Sequence, residues 1–343
     1  MTSPLGIGII GMGFIGQTHA RAFIAAEADG FPCRLRAVCD TDPDRRAGVA
    51  IAEGNLASGI STDRLFDPRS VTGYTEASHL LADPAVDLVC ICTHTESHVD
   101  FAISALDAGK HVLVEKPVAT TSAQVKRLDR HAAASALRCI PAMCVRHWPG
   151  WSDLAAIVRS GEYGKALHAR FERLGAPPTW AGSFYADASR SGNAIFDLHV
   201  HDADFALHLF GRPDQVRALG DDRHIVSQLR YPQGPAVVLE GGWLNDPSVP
   251  FRMAYSVEFE RAVVTFDSAR NPAAIIHAGS TASSPSISPR TGFEEQARAI
   301  TRALTDDPEA PSLATIAEAL AVTRLIEAER ESAASGNPVQ IDW

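Results

Sequence analysis

The stretch "AIFDLHVHDADFA" (194–206) places Asp197, His199, His201, Asp202 and Asp204 within eight positions, between apolar flanks. Carboxylates and imidazoles at that density can hold a metal, relay a proton, or face water on an amphipathic helix. If the segment is helical from about Asp197, positions 197, 201, 204 and 208 share one stripe, with Asp197 one turn before His201. If it is a strand, the H-x-H pair points to one side and nearby aspartates could complete a zinc site. A second constellation lies near the start of the chain: "GMGFIG" sets Gly11, Gly13 and Gly16 in G-x-G-x-x-G spacing. It follows the apolar run "GIGII" (6–10) and opens a helical pattern from Gln17 to about Ala28. In that context the first glycine permits a tight turn, the second admits backbone amides to a pyrophosphate, and the third lets helix pack on strand. The helix N-terminus attracts the anion. Asp40 ends the next strand candidate, "RLRAVCD" (34–40), where a carboxylate accepts hydrogen bonds from ribose hydroxyls. Like charge from Asp40 and Asp42 disfavours a 2′-phosphate and favours NAD, while Arg45 and Arg46 leave NADP open.

Apolar strands alternating with helices must carry these residues. "VDLVCICT" (86–93), "HVLVEK" (111–116) and "LRCIPAM" (137–143) are further strands. "DPDRRAGVAIAEG" (42–54), "SHVDFAISALDAG" (97–109) and "TSAQVKRLDRHAAASA" (121–136) are helical. That alternation implies a parallel sheet covered on both faces. The mixed stretch 54–73 reads as a surface insertion. Beyond residue 150 come "LHARFERLG" (167–175), "HIVSQLRYP" (224–232), "AVVLEGGWL" (236–244) and "MAYSVEFERAVVTFD" (253–267). They lack intervening helices, so adjacent antiparallel strands are expected. Helical patterns at 292–305 and 312–335 close the chain after a Ser/Pro-rich loop at 279–292.

A chain of 343 residues exceeds what one core usually serves, so two domains are expected. Its 45% hydrophobic and 21% charged residues are ordinary for a soluble globular protein. A net charge of −10 argues against binding nucleic acid or an anionic membrane surface. No apolar run approaches the roughly 18 residues of a membrane span. The N-terminus reads as the start of a fold and not as a signal peptide. Six cysteines without a C-x-x-C pair read as free, buried thiols, which places the protein in the reducing cytoplasm.

Taken in order, "GMGFIG", "CTHTESH" (92–98), "AGKHVLVEKP" (108–117), "RHWPGW" (146–151) and "SGNAIFDLHVHDAD" (191–204) resemble the Gfo/Idh/MocA oxidoreductase family. The resemblance covers most of the chain and only weakly its last third. Its sharpest motif is Glu115-Lys116-Pro117, followed by the D-x-x-x-H pair Asp197 and His201. It implies an α/β protein: a doubly wound Rossmann domain at 1–145, then at 146–343 an α/β domain with a large, open, mostly antiparallel sheet. Helices of the second domain would line the substrate cleft, and its exposed sheet face would form a homodimer or homotetramer.

The implied activity is NAD(P)-dependent hydride transfer to or from a secondary alcohol of a sugar, inositol or related polyol. Lys116 would bond substrate and cofactor hydroxyls and stabilise the developing alkoxide. His201 would be the general base, with Asp197 binding substrate and tuning the imidazole. Implied cofactor contacts are Gly11, Gly13, Phe14, Ile15, Gly16, Asp40, Thr93, His98, Glu115 and Lys116. His98 could equally cap its helix, and His19 is ambiguous. Arg146, Trp148 and Trp180 suit the hydroxyls and C–H patches of a polyol, though either tryptophan could be core. The chain departs from the family pattern at His94-Thr95, where proline and asparagine are common. It departs again at His199, commonly glycine or another small residue, which would narrow the pocket or touch substrate. A redox-neutral NAD-dependent glycosidase and a non-catalytic dinucleotide sensor remain alternatives. No metal is called for by nicotinamide chemistry.

Overall fold

A computed structural model describes residues 3–343 except 51–63, 179–184, 186, 306 and 308. The chain forms two compact units. The first comprises Met1–Ala119, Ala123–Cys144 and Thr291–Ala319; the second comprises Thr120–Ser122, Val145–Arg290 and Leu320–Trp343. The helices are α1 (Phe14–Ala28), α2 (Pro43–Arg46), α3 (Ala77–Leu81), α4 (His98–Asp107), α5 (Ser122–Ala133), α6 (Trp151–Ser160), α7 (Ala188–Ser191), α8 (Val200–Phe210), α9 (Gly292–Leu304) and α10 (Ile316–Ser335). Among the described residues no helix is long and apolar enough to cross a membrane.

In the first unit β1 (Leu5–Ile10), β2 (Cys33–Cys39), β3 (Thr72–Tyr74), β4 (Leu88–Ile91), β5 (His111–Val114) and β6 (Cys139–Pro141) form one sheet. Their order is β3-β2-β1-β4-β5-β6, and every pairing is parallel. This is the doubly wound order whose ligands bind beyond the carboxyl ends of the strands, where strand order reverses. β1 and β4 are buried at every position, as central strands covered on both faces require. α9 returns from late in the sequence to pack on α1, its Arg298 donating to Asp29 and lying over the Phe31 ring.

The second unit is built on a nine-stranded sheet. Its strands are β7 (Ala166–Gly175), β8 (Gln215–Gly220), β9 (His224–Arg230), β10 (Ala236–Trp243), β11 (Arg252–Phe259), β12 (Ala262–Asp267), β13 (Ala274–Ala278), β14 (Thr281–Ser283) and β15 (Val339–Gln340). Their order is β14-β13-β12-β11-β7-β10-β9-β8-β15. Only β10 with β7 is parallel, so the sheet is mixed and mostly antiparallel. Burial alternates strictly along β9, leaving one face packed and the other open. On the packed face Trp151 of α6 meets Phe205 of α8 at 5.1 Å and Tyr255 of β11 at 5.2 Å, both edge-on.

Several elements differ from the pattern expected of their residues. Of the helix expected at 42–54, the described residues 42–50 form only the single turn α2, while 51–54 lie outside the described residues: Asp42 caps the turn, Pro43 starts it, and Gly48 has φ 77°. Of the surface insertion expected at 54–73, residues 54–63 lie outside the described residues, and the last two enter β3, an edge strand too short to show periodicity. "MAYSVEFERAVVTFD" is two strands, β11 and β12, paired antiparallel. Residues Ile195–His199 form a π turn, and the α-helix starts only at Val200. Asp197 thus lies inside the π turn and His201 just after it, so the spacing between them is not that of a regular α-helical turn.

Candidate active site

The glycine turn is shaped by close backbone approach. Gly11 has φ 90°, and a Cβ there would lie 2.6 Å from the Cys92 carbonyl oxygen. A Cβ on Gly16 would lie 1.9 Å from the Gly11 oxygen, so α1 packs on the β1 turn only with glycine. Gly13 differs: among the described residues a Cβ there meets nothing within 4 Å, and no side chain caps the start of α1. Phe14 and Ile15 supply the first helical turn behind this open ground. Asp40 closes one side. Its carboxylate accepts from Met12 N–H at 2.7 Å and from Asp42 N–H at 2.9 Å, tying the end of β2 to the glycine turn. Arg46 donates to the carbonyls of Asp40 and Thr41 at 2.7 and 2.8 Å, whereas Arg45 stands 3.9 Å from the Asp40 carboxylate. These residues fit a dinucleotide: a positive helix end, a carboxylate at the end of the neighbouring strand, and a glycine at the helix start.

Beyond the end of β5 stand Glu115, Lys116 and Pro117, joined to a ring of buried contacts. Glu115 accepts from His19 Nε2 at 2.7 Å and from the Lys116 N–H at 3.0 Å. His19 is buried and meets Phe293 of α9 edge-on at 5.5 Å. Nothing in the sequence pairs His19 with Glu115, 96 residues away. His98 Nδ1 lies 2.9 Å from the Pro117 carbonyl and Nε2 lies 3.0 Å from the Thr93 carbonyl. Burial pushes the His98 pKa down. The neutral ring donates to one carbonyl at a time and braces the ends of β4 and β5. Both ring nitrogens thus face the protein's own backbone, not an open ribose site. The Thr93 hydroxyl bonds that of Ser97 at 2.7 Å. Lys116 is half-buried at the strand end.

In the second unit the polar stretch 197–204 divides in two. His199, Asp202 and Asp204 are buried to within 1% and committed to partners. His199 Nε2 donates to Glu329 of α10, with its two oxygens at 3.1 and 3.0 Å. Arg173 of β7 grips Asp202 through two hydrogen bonds of 2.9 and 3.1 Å. Arg146 grips Asp204 the same way, at 2.8 and 2.5 Å. Asp197 is partly exposed, and His201 retains 9% of its surface. The His199 ring is buried, and the Arg146 guanidinium gives its Nε and one terminal nitrogen to Asp204. Among the described residues no group of three or more His, Cys, Asp or Glu could hold a metal ion. The strand geometry that would aim His199 and His201 together is replaced by a helix, which turns them to different faces. His147, beside Arg146, has its pKa lowered to about 4, first by burial and then by Arg146 and His208. Trp148 is half-buried, and Trp180 lies outside the described residues.

Residues 5–143 match the profile of an oxidoreductase family with an NAD-binding Rossmann fold, Gfo/Idh/MocA, and residues 151–265 match that family's C-terminal domain. The chain belongs to the Gfo/Idh/MocA family. Its first unit is accordingly an NAD-binding Rossmann domain. Among curated relatives, an uncharacterized oxidoreductase of Rhizobium meliloti is 34% identical over 56% of this chain and 59% of its own length. An inositol 2-dehydrogenase of Saccharopolyspora erythraea is 30% identical over 61% of this chain and 54% of its own. The match thus spans little more than half the length of these Gfo/Idh/MocA proteins. A solved levoglucosan dehydrogenase, in complex with NADH and levoglucosan, superposes with a TM-score of 0.82 over 99% of this chain and 100% of that one. At 20% identity that likeness is one of fold.

Proposed function

We propose that this Gfo/Idh/MocA protein is an NAD-dependent oxidoreductase acting on a secondary alcohol of a sugar, inositol or related polyol. The observation that carries it is the division of the stretch 197–204: three of its polar side chains are buried anchors, which singles out Asp197 and His201 for chemistry. NAD, when bound, supplies the hydride acceptor. Lys116 holds the substrate oxygen and stabilises the alkoxide that develops as hydrogen leaves carbon. His201 takes the hydroxyl proton and returns it in the reverse direction, a task for an imidazole near neutral pH. Asp197 binds a substrate hydroxyl and orients that imidazole. Asp40 accepts from the ribose hydroxyls and sets a preference for NAD over NADP, since Arg46 is occupied by two carbonyls. The relatives named inositol 2-dehydrogenase and levoglucosan dehydrogenase support the substrate class. Six cysteines outside any disulfide, five of them buried, support a reducing cytoplasm, and the open sheet face supports a homodimer or homotetramer.

The test is a panel of inositols, anhydrosugars, aldoses and sugar acids assayed with NAD and NADP at the reduced-nicotinamide absorbance band. Accumulating NADH with at least one polyol is the expected result. Cleaved glycoside without NADH accumulation would identify a redox-neutral glycosidase instead, and cofactor binding without turnover across the panel would identify a sensor.

A further inference from the structure

His199 sits where the π turn Ile195–His199 passes into α8. Both members of its pair with Glu329 are fully buried, with no exposed side-chain surface. Burying an imidazole against a carboxylate removes both from water, and an apolar pair of similar size would stabilise a fold as well or better. What the polar pair adds is direction. Glu329 holds Nε2 through both oxygens, while Nδ1 has no hydrogen-bond partner among the described residues, so Glu329 supplies the hydrogen bonds that orient the ring by its polar edge. The backbone behind the ring is seated as closely as glycine allows. A Cβ on Gly241 of β10 would lie 2.7 Å from the His199 Cβ and 2.9 Å from its Cα. The other end of the π turn is pinned as well, by the Ile195 N–H donating to the Asp222 carbonyl at 3.0 Å. A π turn carries one residue more per hydrogen-bonded ring than an α turn and is held only where its surroundings demand it.

We infer that Glu329 is a positioning residue: through His199 it holds the π turn and so sets the angular offset between Asp197, inside that turn, and His201, just after it. The roles of Asp197 and His201 are those proposed above. Without this anchor the segment relaxes toward a regular α-helix, which would turn Asp197 around the axis relative to His201. The Arg173–Asp202 and Arg146–Asp204 pairs hold the α-helical part and cannot substitute, because they lie downstream of the turn.

Hydrogen–deuterium exchange of the amides at 195–201, with the NMR titration of the His201 ring, tests this without substrate. The variants are Glu329→Leu, Glu329→Gln and the apolar double variant His199→Phe with Glu329→Leu. Glu329→Leu should speed exchange at 195–201 by at least about tenfold beyond any change in global unfolding and move the His201 titration. Glu329→Gln, whose amide oxygen still accepts from Nε2, should restore both toward the wild type. The double variant should regain thermal stability yet keep the fast exchange and the displaced titration. If the apolar pair restores all three measurements, or if Glu329→Leu folds with exchange and titration unchanged, the positioning role is wrong. Turnover by His201→Ala, measured separately with the polyol panel, tells whether the functional proposal has failed instead.

Discussion

At 11–16 the groups that would face a cofactor belong to the backbone, and side chains matter there by being absent. At 194–210 the groups that matter are side chains, and each is placed by a partner far away in sequence: Glu329, Arg173 and Arg146 stand 130, 29 and 58 positions from His199, Asp202 and Asp204. The first arrangement is local, since a glycine at φ 90° and one whose Cβ would strike a carbonyl can be made by six consecutive residues. The second exists only once β7, α10 and the helix are packed together. A local turn tolerates change around it, whereas a helix held by three buried polar pairs is sensitive to residues far away in sequence.

The largest effect should come from breaking one of those pairs. Asp202→Leu leaves the Arg173 guanidinium buried without its carboxylate and should cost about 3–5 kcal/mol of unfolding free energy in urea. Adding Arg173→Met should recover most of that loss, which would show that the cost lies in the orphaned charge. Recovery of less than half would place it in packing, notably the Arg173 guanidinium 5.2 Å over the Trp151 ring.

Next in size are the chemical groups themselves. Lys116→Ala and His201→Ala should each lower turnover by about two or more orders of magnitude while NADH still binds, as read by fluorescence titration. The glycine turn should behave in the opposite sense: Gly16→Ala, whose Cβ would press on the Gly11 oxygen, should weaken NADH binding by roughly tenfold or more. Equal loss of binding in all three variants would erase the distinction between a backbone-made and a side-chain-made site.

An effect of comparable size should appear on acidification. The folded pKa of His147 is lowered to about 4, below the ordinary value near 6.5, so the unfolded chain binds the proton more tightly. The stability due to the neutral ring is complete above about pH 6.5 and is lost as pH falls toward 4, by on the order of 2–3 kcal/mol. Urea melts at pH 4.5 and 7 should show this slope in the wild type and a shallower one in His147→Leu. The smallest effect is one of selectivity. Asp40→Ala should lower kcat/KM for NAD about tenfold and raise that for NADP, because ribose acceptor and repulsive charge disappear together.

By itself the amino-acid order determined the parallel sheet, the glycine turn, Asp40 at the end of β2 and the Glu115-Lys116-Pro117 corner. These follow from apolar runs, strand-end position and the conformational freedom of glycine, all of which act between near neighbours. It also brought Asp197 and His201 to notice, but with five polar residues in eight positions it had no means of separating actors from anchors. Packing alone decided that His199 turns inward to Glu329, that Arg146 bonds Asp204, that His98 braces two carbonyls, and that Asp197 lies in a π turn ahead of α8. Each depends on which distant charge or carbonyl arrives opposite, since a buried polar group must be paired where it stands, and local periodicity carries no trace of that partner.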